Sequence, residues 1–406
     1  MRKKNILIIL VLLLLIILCL LLRYIIINDK QHEKELQNYQ DKLNTIRASY
    51  NNYVNIKGAN IYMLEDNKYI EKGTINNIDV ILEDIDINNY QEEYFKLKNI
   101  DYYVNYKDIT KIDNINIDNR YKNYIVYNEN VIIPPNTKMS LNDASYYQVD
   151  NELSLPIIIK EDNKYYVEYD NRLVYVEKED INSIVENSNT NEEISKGFAV
   201  LNYHYTINKE AKEHLECMQE ICMTDTLFDS HMKYLYDNNY FTLTLEEIEM
   251  FIDGKIRLPK NSVAITIDDG WYVGRSITIL EKYNLHGILF LIGSLASPSN
   301  YQSSNLEIAS HTWNLHRKWG DLINASKEDA INDLKKSRES LNNTKYFCYP
   351  FYQYNTNVIS YLKEVGFTMA FTGINKKVIV GTNKYLVPRY GIINTMTADD
   401  IASIVK

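Results

Sequence analysis

Residues 6–22 are apolar without interruption, and Arg2, Lys3 and Lys4 precede them. A run of that length just suffices to cross a bilayer, and the basic residues ahead of it orient the N-terminus to the cytoplasm. The expectation is a single-pass anchor in the cell membrane over 1–27, with the rest of the chain extracellular. A cleaved signal peptide competes with it, but the run is long and no small-x-small cleavage site follows. Residues 28–56 are polar with a seam at Leu36, Tyr39, Leu43, Ile46, Tyr50 and Tyr53, whose 3-4-3-4-3 steps predict a helical stalk. That stalk is open to two readings, a short dimeric coiled coil or a helix docked on its own domain. Over 57–184, short Val-, Ile- and Tyr-rich runs alternate with Asn/Asp turns, as in "KEDNKYYVEY" and "DNRLVYVEKEDI", and predict small all-β modules. Residues 185–196 are polar and of low complexity, a linker.

From 197 to 406 the period changes. Strand patterns at 198–203, 263–267, 287–292, 306–310, 346–349, 367–371 and 386–390 alternate with helical patterns at 226–239, 244–253, 276–284, 326–341 and 356–365. Thr244 and Ser326 stand at N-cap positions with Glu247 and Asp329 three residues on. Repeated β-then-α units predict an α/β domain, a parallel sheet closed or nearly closed as a distorted (β/α) barrel, with the active face just after the strands.

A net charge of −10 and the absence of a Lys/Arg stripe exclude a nucleic-acid partner. Cys217 and Cys222 are close enough for a local disulfide outside the cell, with free thiols the alternative. Cys348 falls in a predicted strand and reads as a packed small hydrophobe.

Four predicted strand ends carry loaded residues: His204 in "LNYHY", Asp268 and Asp269 in "ITIDDG", His311 and His316 in "SHTWNLH", and Tyr349, Pro350 and Phe351 in "CYPF". Two adjacent carboxylates repel, and burying either is costly unless a cation or shared proton compensates. Two His and one Asp suit a three-ligand metal site with open positions. Residues five apart diverge on a regular helix, so His311 and His316 converge only if their segment is a loop.

In combination these motifs over 197–406 resemble the polysaccharide deacetylases of the NodB-homology type, carbohydrate esterase family 4. Four residues between the two His, and a YH motif ahead of the DD motif, resemble the circularly permuted poly-β-1,6-N-acetylglucosamine deacetylases. The resemblance implies that Asp269, His311 and His316 hold a divalent metal, zinc first, with Co2+, Ni2+ or Fe2+ as alternatives. It implies Asp268 as general base, His204 as the acid protonating the leaving nitrogen, and the Phe351 N–H as oxyanion donor. Many members have Arg where Cys348 stands, and Arg389 in "LVPRYG" could supply that charge. Members often carry Gly where this chain has Tyr352. Trp271, Trp313, Tyr349 and Tyr354 are candidates for stacking on sugar faces. More loosely, "YYVEYDNRLVYVEKEDI" resembles the last strands of a bacterial SH3-like barrel, with "YYVNYKDI" as an earlier copy.

The resulting expectation is a membrane-anchored, metal-dependent N-deacetylase of an N-acetylglucosamine polysaccharide. The β-1,6 polymer comes first, with peptidoglycan and then chitin-like oligomers behind it. Two other classes compete. A non-haem iron oxygenase would share the ligands but leave Asp268 and His204 idle, and a non-catalytic glycan-binding scaffold would not need all five residues. His231 reads as a structural contact, and His32, His214 and His286 as surface residues.

Overall fold

The computed structural model describes residues 52–83, 93–188, 193–208 and 220–406, with scattered positions between 23 and 41. The apolar run 6–22, most of the heptad seam, His32, His214 and Cys217 lie outside the described residues. No helix among the described residues is long and apolar enough to cross a membrane. The described residues form two compact units: one within 1–118, 131–155 and 167–184, the other within 119–130, 156–166 and 185–406.

The first unit is built from short antiparallel strands. Seven of them lie in the order Arg172–Glu177, Lys138–Asn142, Ser145–Val149, Lys68–Asn76, Ala59–Glu65, Tyr103–Asn105 and Tyr94–Lys96. Ile78–Ile81, Tyr53–Ile56 and Ile109–Lys111 form a separate antiparallel sheet. Asp66 and Asn67 both take positive φ (47° and 60°), the two-residue hairpin turn that Asn and Asp tolerate best after Gly.

The second unit carries β1 (Ala199–Tyr203), β2 (Tyr205–Ile207), β3 (Cys222–Thr224), β4 (Phe241–Thr242), β5 (Ser262–Asp269), β6 (Gly287–Leu291), β7 (Leu306–Ser310), β8 (Tyr346–Cys348), β9 (Met369–Phe371) and β10 (Tyr390–Gly391). Its helices are α1 (Asp225–Asp237), α2 (Leu245–Ile252), α3 (Gly274–Lys282), α4 (Asp321–Asn324), α5 (Lys327–Ser340), α6 (Thr356–Val365) and α7 (Ala398–Val405). The sheet is parallel, in the order β9-β8-β7-β6-β5-β1-β10, with β4 also on β5. Val387 bridges Phe371 and Tyr390 pairs with Leu201, so the segment 387–391 links both edges of the curled sheet. All eight residues of β5 are buried, as a strand covered on both faces must be.

The helices begin where their caps predict. Thr244 and Glu247 form a reciprocal capping box at α2, and Ser326 accepts from the Asp329 N–H at α5. Thr397 and Asp400 make a second box at α7, a helix that the periodicity left unassigned. One core cluster packs α1, α3 and α7 on the sheet through Phe228, Leu235, Ile279 and Ile401. Another packs α5 and α6 on β8 through Leu334, Leu362 and Phe347. The strand predicted at 386–390 is instead a short turn (Lys384–Leu386) followed by β10, because its pairing is split between two sheet edges.

Candidate active site at the carboxyl ends of the strands

Every strand of the sheet runs the same way, so the ends of β1, β5, β7 and β8 open on one face of the barrel. His204 follows β1, Asp268 and Asp269 end β5, His311 follows β7, and Cys348 ends β8. Asp269 takes φ of 75°, which breaks the strand's side-to-side alternation and lets neighbouring carboxylates face different partners in one site. Gly270 follows at φ 117°, where a Cβ would lie 2.6 Å from the Leu291 side chain.

Asp268 is paired with a buried guanidinium. Arg389 Nη1 and Nη2 each donate to one of its carboxylate oxygens at 2.8 Å, the bidentate geometry that binds a carboxylate most firmly. Arg389 is fully buried, and its remaining donors are spent on the Thr372 carbonyl, Thr266 Oγ1 and Cys348 Sγ. Burial pushes the Asp268 carboxyl up, but the Arg389 charge and nearby imidazoles more than offset it, so the group stays ionised. Cys348 is therefore more than the packed hydrophobe expected of it. Its sulfur accepts from Arg389 at 2.9 Å, and its carbonyl accepts from His311 Nδ1 at 2.9 Å.

That second bond decides how His311 is used. A carbonyl only accepts, so Nδ1 carries the proton and Nε2 presents its lone pair. His311 Nε2 stands 3.0 Å from His316 Nε2 and 3.4 Å from Asp269 Oδ1, and His316 Nε2 stands 3.2 Å from the same oxygen. Asp269 Oδ1 is buried without a hydrogen-bond partner, while Oδ2 accepts from the Tyr205 hydroxyl at 2.6 Å. Three acceptor atoms converging on one point call for a positive charge between them. Burial lowers the imidazole of His311, but Cys348 and Asp269 hold it well above its usual range; burial and the His311 charge push His316 down to about 4. The group thus takes up one positive charge, a role that a divalent cation fills with all three ligands in place. A rival triad of Asp268, His311 and Cys348 does not suit a cation. Arg389 already occupies it, and the His311 nitrogen facing it is the protonated one.

His204 Nε2 lies 4.0 Å from Asp268 Oδ2, its Nδ1 is buried without a partner, and burial lowers its pKa. Phe351 (φ 53°) and Tyr352 (φ 59°) are both left-handed, which turns the chain sharply after Pro350. The Phe351 N–H makes no backbone hydrogen bond among the described residues. The Phe351 ring stacks on His316 at 4.7 Å.

The aromatic candidates divide. Trp271 is 42% exposed and meets the Tyr205 ring edge-on, and Tyr354 is 37% exposed beside Tyr349. Tyr349 itself is fully buried and donates to the Tyr385 carbonyl, so it packs the core and presents nothing to a sugar, contrary to expectation. Trp313 is half-buried beneath the Lys336 ammonium. His231 is a buried structural contact between Tyr203 and the Met396 carbonyl. His286 is not a free surface residue: it pairs with Glu307 at 3.1 Å. Cys222 is disulfide-bonded. Sequence reasoning missed Tyr205, Trp319 and the sulfur contact of Cys348. Tyr205 lies next to His204 in "YHY", the one available signal.

Residues 255–370, which include Asp268, Asp269, His311, His316 and Phe351, match the family model for polysaccharide deacetylases. The chain carries a polysaccharide deacetylase domain. Such domains act as hydrolases of N-acetyl amide bonds. Among curated relatives, a Bacillus subtilis (strain 168) protein named "Putative polysaccharide deacetylase YxkH" is 26% identical over 158 residues, 36% of this chain and 56% of its own length. A Staphylococcus aureus (strain MSSA476) poly-β-1,6-N-acetyl-D-glucosamine N-deacetylase is 25% identical over 213 residues, 46% of this chain and 71% of its own. Among solved structures, Streptococcus pyogenes deacetylase PplD is 20% identical, covering 52% of this chain and 98% of its own, with a TM-score of 0.45. IcaB from Ammonifex degensii is 21% identical, with 52% and 97% coverage and a TM-score of 0.44.

Proposed function

We propose that the deacetylase domain removes acetyl groups from N-acetylglucosamine units of an extracellular polysaccharide, with the β-1,6-linked polymer the preferred substrate. The reading rests on one observation: the adjacent carboxylates have opposite assignments, Asp268 to a guanidinium and Asp269 to two imidazole lone pairs. The donor set of Asp269, His311 and His316 suits zinc. When bound there, the metal supplies Lewis acidity to the acetamide carbonyl and acidity to the attacking water. Asp268 stays ionised and takes the water's proton. His204 stands within reach of Asp268 and passes a proton to the leaving nitrogen. The Phe351 N–H is the donor available to the developing oxyanion. The products are acetate and a free amine.

Two features favour the β-1,6 polymer: the five-residue His spacing and the activity in the name of the staphylococcal relative. We place the domain outside the cell on a single-pass membrane anchor, from the apolar run at 6–22 and the basic residues before it. The deciding measurement is acetate release by the full chain from β-1,6-linked N-acetylglucosamine oligomers and from peptidoglycan fragments, with and without a chelator. Chelator-sensitive release from the β-1,6 oligomers is expected. Release from peptidoglycan alone would move the substrate, and release unaffected by metal removal would overturn the site assignment.

A further inference from the structure

Two consecutive residues serve the two consecutive carboxylates that end β5. His204 lies against Asp268, and Tyr205 donates its hydroxyl to Asp269 Oδ2 at 2.6 Å. The two oxygens of Asp269 are therefore treated differently. Oδ2 has a donor, whereas Oδ1 is buried without one and stands 3.4 Å and 3.2 Å from the Nε2 atoms of His311 and His316. Asp269 is buried, and a buried carboxylate oxygen without a partner is costly. The fold satisfies one oxygen and leaves the other facing two imidazoles.

Tyr205 is held in place from three sides. Its strand β2 pairs in parallel with β3, Tyr205 opposite Cys222. The next residue, Thr206, accepts from Ser276 Oγ at 2.6 Å, which ties β2 to α3. The Tyr205 ring meets Trp271 and Tyr272 edge-on at 6.0 Å and 6.3 Å, on the turn that follows Asp269 and Gly270. A phenylalanine ring would make the same ring contacts. Among the described residues the hydroxyl bonds to Asp269 alone, so the carboxylate is what requires a tyrosine here. Tyr205 stands one residue past the YH motif and outside the DD, His-pair and Tyr-Pro-Phe motifs.

A carboxylate with both oxygens free can present one or both of them to a cation. Presenting both fills a position that a hydrolytic metal site keeps open. We propose that the Tyr205 hydroxyl is the positioning group that commits Asp269 to a divalent cation through Oδ1 alone. The proposal rests on the reading of Asp269, His311 and His316 as the metal ligands. Tyr205 touches neither cation nor substrate. It acts through Asp269, by engaging Oδ2 and fixing the rotation of the carboxylate, and such outer partners set both ligand orientation and affinity.

The test compares the full chain with Tyr205→Phe and Thr206→Val, each stripped of metal and titrated with Zn2+ and with Co2+. Zinc affinity is read by competition with a chromophoric chelator. The number of ligands is read from the visible absorption of bound Co2+, which weakens as the ligand shell fills. Tyr205→Phe is expected to lower zinc affinity by roughly tenfold or more and to weaken the Co2+ absorption, as Oδ2 joins Oδ1 on the ion. Thr206→Val removes the Ser276 bond at nearly constant shape, and is expected to lower the Tm with both metal readouts unchanged. An unchanged Co2+ spectrum in Tyr205→Phe overturns the proposal even where affinity falls, because a purely structural bond would lower affinity alone. So does an equal spectral change in Thr206→Val, which would assign the effect to placement of the strand. Failure of the unaltered chain to bind either ion overturns the ligand reading and the proposal with it. The expected metal readouts without any acetate release would leave the proposal standing and overturn the deacetylase reading.

Discussion

Arg389 is a fully buried charge, and among the described residues its only carboxylate partner is Asp268. A buried charge left alone costs several kcal/mol, so each of the two residues requires the other. Replacing Arg389 with Met keeps an apolar stem and removes the charge. Burial then pushes the Asp268 carboxyl up against the nearby imidazoles alone, so the acid limb of kcat/KM moves to higher pH. The stability effect follows from the same shift. The depressed Asp268 pKa stabilises the fold above the unfolded value of about 3.9, and that contribution is lost as pH falls toward the folded value. In the variant the folded value rises toward the unfolded one, so this pH-dependent contribution shrinks. Bound metal should be unchanged, because Arg389 bonds to none of Asp269, His311 or His316. A pH–rate profile beside metal analysis checks both, and loss of metal would overturn the division of labour between the carboxylates. Only part of this pairing was legible in the sequence. The DD pair advertises a cation, but Arg389 lies 121 residues away, and "LVPRYG" shows only a charged residue near a strand.

At the scale of elements, the loop between β7 and α4 determines where His316 goes. Five-residue spacing excluded a regular helix, and the segment is indeed irregular, with Thr312 at φ 74°. What shapes it comes from outside the loop. The Asp333 carboxylate on α5 accepts from the N–H groups of Trp313, Asn314 and Leu315 at 2.8, 2.8 and 3.0 Å. Ser326 starts α5 at the register that sets Asp333 under the loop. Asp333→Ala removes three charge-assisted bonds and should cost about 2–3 kcal/mol. It should also weaken divalent metal binding by roughly tenfold or more, as loss of a ligand's supporting contact does. Thermal melts and metal titration check the two effects. Undiminished metal affinity would show that the loop keeps its shape unaided. The cap was readable in advance, and the Asp333 contact was not, because nothing in sequence separates it from the other acids of a solvated helix.

For the whole molecule, the deacetylase unit does not begin at the linker. Residues 119–130 and 156–166 belong to it, although the sequence grouped them with the β-rich region. Arg120 forks onto Glu247 at 2.6 Å on both oxygens, Tyr124 donates to the same carboxylate, and Ile159 bridges Ile256. Glu247 is only 2% exposed. A fragment 197–406 leaves that carboxylate without its cation, which costs roughly 3 kcal/mol. Its Tm should fall on the order of 10 °C below that of the full chain, with Arg120→Ala reproducing much of the drop. Equal melting of fragment and full chain would show that the clasp contributes no stability.

Local chemistry in the sequence determined the class of fold, the helix starts and the strand ends that carry Asp268, Asp269, His204, His311 and His316. Periodicity, caps and adjacent carboxylates act within a few residues and need no folded context to be read. Tertiary structure alone decided which carboxylate faces Arg389, which imidazole nitrogen is free, that Tyr349 is core and Trp319 exposed, and that distant segments complete the unit. Each of these depends on parallel strands, far apart in the chain, ending on one face. There burial and pairing reassign side chains whose types alone leave the choice open.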